Sequence, residues 1–320
     1  MSIYPQTLLL IVAVQITLGY LLVKNKLTFL AWPNLLFFLI LTATLFFKAT
    51  PILKMFALIA ITLNAMKIVV TVNSYNDTAF RLGFFQWLVF TAGWVGMRLQ
   101  SFKGLGGLAV PGAMRLLLTG LSRVLLGFVF LAAAHLAVKL FVAAPVIFVL
   151  TTGLILTGLS FILHFGLLSI TAGFWRLFGA DTYPLFRQPF KSNTLSEFWG
   201  RRWNLAFIEM LSIAVLRPLK AKIGGTTAVL VSFLFSGLMH EVAITLPVNA
   251  GFGMPTLYFT IQGFAVIAEK KMEKGNISVL KNKLFAKLWV LFWLIMPIHF
   301  LFPNPFIKQI VWPLAGLNVW

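Results

Sequence analysis

Thr226–Leu246 reads TTAVLVSFLFSGLMHEVAITL. Its length and apolarity suit a helix crossing the roughly 30 Å hydrocarbon core of a bilayer. One ionisable pair, His240 and Glu241, interrupts it. Placing such groups at membrane depth is costly unless they face a protein-lined cavity or find partners, so the pair is a site hypothesis from the outset.

Similar runs recur on both sides of this stretch: Ile3–Val23, Pro33–Phe47, Pro51–Val72, Leu82–Met97, Val124–Leu140, Phe141–Leu163 with a separate helix continuing to Trp175, Pro255–Ala268 and Leu284–Phe302. Leu205–Leu216 is too short to cross and reads as a buried, re-entrant or interfacial helix. The chain has 320 residues, 60% hydrophobic and 10% charged, with a mean hydropathy of +0.95. Those charges are too few to cover a soluble globule. The expected fold is an all-α polytopic membrane protein of about eight to ten helices, with residues 1–320 forming a single domain. Ile3–Val23 has no basic stretch before it and no small-residue cleavage site after it, and reads as a retained first helix.

Lys and Arg number 26 against 7 Asp and Glu, a formal charge of +19. The basic residues sit mostly between the apolar runs, which suits contact with membrane lipids or an acidic soluble co-substrate and gives no sign of nucleic-acid binding. The richest connections are Arg98–Arg123, Arg176–Arg202, Arg217–Lys222 and Lys270–Lys287. If these face the cytoplasm, the N-terminus does too, and Asn73–Phe80 with Asp77 lies outside. Gly104, Gly106, Gly107, Pro111 and Gly112 lack a phosphate-loop spacing and read as a bent connection. Gly120, Gly127, Gly153 and Gly158 read as sites of close helix packing. The C-terminal Pro303–Trp320 reads as a segment along the far interface.

Chemistry has few places to reside. Cysteine is absent, which removes thiolate nucleophiles and cysteine metal sites. His135, His164 and His299 are scattered, and Val242-Ala243-Ile244 after the His-Glu pair breaks any HExxH pattern, so no metal is expected. His240 fits proton transfer, because an imidazole with a pKa of about 6.5 takes and returns a proton near neutral pH. Glu241, the next residue, points about a third of a turn away and reads as a hydrogen-bond partner for a neighbouring helix. A structural pair near the interface is the alternative. In Asn193–Asn204, Thr194 and Glu197 have capping-box spacing, so a helix starts there and brings Trp199, Arg202 and Trp203 near one face. Arg201 and Arg202 suit phosphate or carboxylate. From these residues alone, an interfacial helix with tryptophans at headgroup level and snorkelling arginines is the favoured reading.

Leu195-Ser196-Glu197-Phe198-Trp199-Gly200-Arg201-Arg202-Trp203-Asn204, followed by Ser236-Gly237-Leu238-Met239-His240-Glu241, resembles the wax synthase-like branch of the membrane-bound O-acyltransferase family. Asn204 and His240 stand 36 positions apart, and the likeness covers about Thr182 to Lys270. The related sterol and diacylglycerol acyltransferases typically carry an acidic residue before their tryptophans, where this chain has Gly200-Arg201-Arg202. The resemblance implies a central transmembrane chamber and transfer of an acyl group from acyl-CoA, a co-substrate and not a resident cofactor, to the hydroxyl of a lipophilic alcohol. It implies that His240 and Asn204 are catalytic, with His240 as general base in a direct transfer. Arg201, Arg202, Trp199 and Trp203 are expected at the donor, with Arg187 and Lys191 nearby. A sterol, terpenoid, diacylglycerol or secondary-metabolite hydroxyl is the alternative acceptor. A transporter is the alternative class, since Leu205–Leu216 beside Pro218 and Gly224-Gly225 could be half of a discontinuous helix. Either the bacterial inner membrane or the endoplasmic reticulum would suit the chain, and the sequence leaves the oligomeric state open.

Overall fold

The computed structural model describes residues 3–74, 83–142, 144–275 and 282–318, and they contain helices and no strands. In chain order the helices are α1 (Tyr4–Lys24), α2 (Ala31–Leu45), α3 (Pro51–Ser74), α4 (Phe84–Gly93), α5 (Ala113–Leu140), α6 (Pro145–Ser160) and α7 (Leu168–Leu177). Then come α8 (Leu195–Glu197), α9 (Leu205–Leu211), α10 (Arg217–Ile223), α11 (Gly225–His240), α12 (Leu246–Val248), α13 (Met254–Lys274) and α14 (Lys283–Ile295). Seven helical runs among the described residues are long and apolar enough to cross a membrane. The chain is therefore an integral multi-pass protein.

Burial separates the spans by role. In α3, 72% of the apolar window is buried, against 11% in α5 and 17% in Lys283–Leu301. Thus α3 forms the centre, while α1, α2, α5, α6 and α14 turn large apolar side chains such as Leu9, Phe37, Val129, Val149 and Phe292 outward, as a hydrocarbon solvent requires. Two lysines are buried with α3. Lys67 donates to the carbonyls of Phe90 (2.7 Å), Thr91 (3.1 Å) and Trp94, neutralising the negative end of α4. Lys54 donates to Asn249 Oδ1 at 3.1 Å.

Several expected boundaries shift. The Leu82–Met97 run holds only the ten-residue α4, because Trp94 turns extended where Lys67 collects the carbonyls. The segment before Val124 is not a loop: α5 begins at Ala113, so Arg115 and Arg123 are helical. Phe141–Leu163 starts later, at Pro145, and α7 continues it to Leu177 in one helical run through a widened turn at Phe161–Leu167. Leu205–Leu216 is buried through Leu205, Ala206, Met210, Ala214 and Val215. Phe306, Ile310 and Trp312 are buried, and Trp312 Nε1 donates to Thr152 Oγ1 at 2.9 Å. Of Asn73–Phe80, residues 75–80 lie outside the described residues.

The glycines of α5 and α6 set one close crossing. A Cβ on Gly127 would lie 2.7 Å from Gly158 O and 2.6 Å from Ile162 Cγ1, whereas Gly153 meets nothing within 4 Å and has no packing role. Gly127→Val is expected to cost about 1–3 kcal/mol by overpacking and to lower the thermal midpoint in detergent, while Gly153→Ala leaves it unchanged. Equal midpoints for both variants would contradict the crossing.

Candidate functional site

The site is assembled by two chain breaks and one close helix pair. In α11, His240 Nδ1 lies 2.7 Å from Ser236 O, one turn earlier. A carbonyl only accepts, so Nδ1 carries the proton and Nε2 keeps its lone pair. At Glu241–Thr245 the helix widens to a π-type turn, a form frequent at functional sites. Glu241 Oε1 accepts from Thr256 N (3.1 Å) and Thr256 Oγ1 (2.9 Å), and Oε2 accepts from Thr245 Oγ1 (2.5 Å). The carboxylate thus sits at the positive end of α13 and ties that helix to α11. Gly237 allows the approach, since a Cβ there would lie 2.6 Å from Thr256 Cα. The half-buried imidazole is flanked by Phe259 at 4.2 Å and Phe207 at 5.6 Å between ring centroids.

The first motif folds as a capped, widened turn. Thr194 Oγ1 accepts from Glu197 N at 2.9 Å, while Glu197 Oε2 accepts from Asn193 N at 2.9 Å, one residue before the expected capping-box partner. The Asn193 N–H, aided by the Arg202 guanidinium and opposed by partial burial, holds the Glu197 carboxyl below the usual carboxylate range. Phe198–Arg202 forms another widened turn, and Asn204 follows with φ 46° and ψ 72°, a left-handed geometry that asparagine tolerates. Its Oδ1 accepts from Phe207 N at 3.2 Å and caps α9, so the Asn204 amide nitrogen remains a donor.

These contacts bring the two motifs together. Trp199 Nε1 donates to Gln262 Oε1 at 3.1 Å, and its ring lies 5.6 Å from Phe259, the neighbour of His240. Asn204 joins from the other side through the cap on Phe207. Trp203 stacks on Phe198 at 5.3 Å and meets Phe186 edge-on at 5.0 Å. Arg202 is engaged internally: it pairs with Glu197 at 2.6 Å and donates to the carbonyls of Arg187 (3.2 Å) and Gln188 (3.3 Å). Arg201 is exposed.

Three residues that the sequence reading passed over support this frame. Glu269, 0% exposed, accepts from Leu195 N (2.6 Å) and Ser196 N (2.9 Å), clasping the start of α8 to α13. Gln262 links Trp199 to Trp293 O. Glu209 accepts from Tyr183 Oη at 2.5 Å and pairs with Arg98 at 2.7 Å. Burial first, and Glu209 next, push the Tyr183 phenol well above its usual range, so it stays a donor. The available signal was scarcity: in a chain with 7 acidic residues, each carboxylate set in apolar sequence needs a partner. No group of three or more His, Asp or Glu among the described residues is placed to hold a metal ion.

Residues 182–261 match the sequence profile of the Membrane bound O-acyl transferase family. Over that quarter of the chain it is similar to the family. The matched stretch contains both halves of the site. Among the curated proteins similar to this chain is the Long-chain-alcohol O-fatty-acyltransferase of Simmondsia chinensis, 32% identical over 139 residues, 37% of this chain and 39% of the relative. The Probable long-chain-alcohol O-fatty-acyltransferase 6 of Arabidopsis thaliana is 30% identical over 103 residues, 30% of each chain. Number 3 from the same plant is 32% identical over 107 residues, 31% of each. In each case the matched part covers less than 40% of the relative's length.

Proposed function

We propose that this chain transfers an acyl group from acyl-CoA to the hydroxyl of a lipophilic alcohol, with His240 as general base. The observation that carries the reading is the Ser236 carbonyl on Nδ1, which leaves Nε2 as the proton acceptor beside the apolar faces of Phe207 and Phe259. Nε2 takes the hydroxyl proton as the alcohol oxygen attacks the thioester carbonyl. The tetrahedral oxyanion is met by the Asn204 amide N–H groups, and its collapse breaks the C–S bond. The thiolate receives the proton from Nε2, which restores neutral His240 and needs no protein nucleophile. Arg201 and Lys191 meet the donor's phosphates, Arg202 holds the turn beside them through Glu197, and Trp199 and Trp203 wall the acyl path.

The test offers labelled palmitoyl-coenzyme A with fatty alcohols, sterols and diacylglycerol to membranes containing the protein, and identifies products by mass. The expected result is a long-chain ester formed with release of one coenzyme A thiol per ester. Thioester left unconsumed with every acceptor would overturn the reading, and an acyl group trapped on a serine or threonine would overturn direct transfer.

A further inference from the structure

A cavity of about 390 Å³ opens beside α9. Arg98, Glu209, Ser212 and Arg217 give it polar atoms, and Met97, Ile208 and Ile213 give it an apolar wall. It lies away from His240. Phe207 faces the imidazole, and at about 100° per residue Glu209 projects roughly 200° around α9 from it. An occupant of this cavity is therefore separated from the reacting groups by the helix itself.

We propose that this cavity is a second binding site, for a phosphate-bearing amphiphile. Its charges are unbalanced: two guanidiniums face one carboxylate. Glu209 answers Arg98 at 2.7 Å, and the Tyr183 ring beneath the guanidinium, at 4.8 Å, holds it in place. The Arg98 side chain is still 56% exposed, so it has donors free of that pair. Arg217 has no ion pair among the described residues and starts α10, which also carries Lys220 and Lys222. A tetrahedral phosphate supplies the missing negative charge and enough acceptor oxygens for two guanidiniums and the Ser212 hydroxyl. The Met97, Ile208 and Ile213 wall suits the first methylenes of an attached chain, and the volume admits a headgroup with a short stem. Because Glu209 is on α9, whose first turn Asn204 caps, an occupant that draws Arg98 away bears on the helix that positions Phe207. The site does not require the acyl-transfer reading to hold.

The test uses the full chain in phosphatidylcholine nanodiscs and measures binding by fluorescence or thermal shift. One probe is dioctanoyl phosphatidic acid and the other is adenosine 3′,5′-bisphosphate. Arg217→Gln, which breaks no observed pair, is expected to weaken binding about tenfold or more, while Lys222→Gln, outside the cavity, binds as wild type. Phosphatidic acid alone binding identifies a lipid headgroup, and the bisphosphate alone identifies a soluble phosphate ester. Absence of binding by both probes, or equal affinity in Arg217→Gln, would overturn the proposal.

Discussion

Replacing His240 with glutamine is expected to lower kcat for ester formation by about 10²–10⁴-fold, the usual contribution of a positioned general base, and to leave KM for donor and acceptor nearly unchanged. That loss corresponds to about 2.7–5.4 kcal/mol of transition-state stabilisation. Glutamine keeps an amide able to reach Ser236 O, so the α11 backbone and its contacts with Phe207 and Phe259 have no reason to move. The residual rate then reports what Asn204 and substrate positioning supply without proton transfer. Rates should be compared at equal amounts of folded protein, judged by gel filtration in detergent. Wild-type kcat in this variant would remove His240 as the base, and a rise in KM alone would make it a binding residue.

Glu269 predicts a different kind of failure. Its carboxylate is fully buried and answers two backbone N–H groups, those of Leu195 and Ser196. Glu269→Ala leaves both donors unmet, at about 1–3 kcal/mol each, and opens space beside them. The expected result is a lower thermal midpoint together with loss of activity, since Trp199, Arg202 and Asn204 all follow from the segment this carboxylate holds. Glu269→Gln retains one carbonyl acceptor for one N–H group but turns its own NH2 donor toward the other, so it should recover only part of the midpoint. Wild-type midpoint and activity in Glu269→Ala would show that the clasp is dispensable. A lower midpoint with an unchanged kcat per folded molecule would confine it to stability.

The membrane spans were legible because apolar runs of spanning length carry their own signal: α1, α3 and the helical run Gly225–Val248, of which α11 is the first part, begin and end within a few residues of the runs read for them. The polar turns were less so. Widening at Phe198–Arg202 and Glu241–Thr245 leaves the residue pattern almost unchanged, so helical spacing says little about where the chain gains its extra residue. His240 stood out as an ionisable group in an apolar run. Glu209, Gln262 and Glu269 did not, because their partners come from 26, 63 and 74 residues away, a separation no local pattern records. Lys67 is the same case. Inside an apolar run it looks like a misplaced charge, and only the carbonyls that end α4 explain it.

The Glu269 clasp also sets an order of events during biosynthesis. Its carboxylate is made 74 residues after Leu195, an interval of about 4–15 s at 5–20 residues per second of translation. Throughout that time the segment bearing Trp199, Arg201 and Asn204 exists without the group that fastens it. Insertion of α11 and its histidine also comes first. The arrangement that joins the two motifs is therefore completed only once α13 is made, so a chain cut short before Glu269 carries both motifs without the latch that joins them.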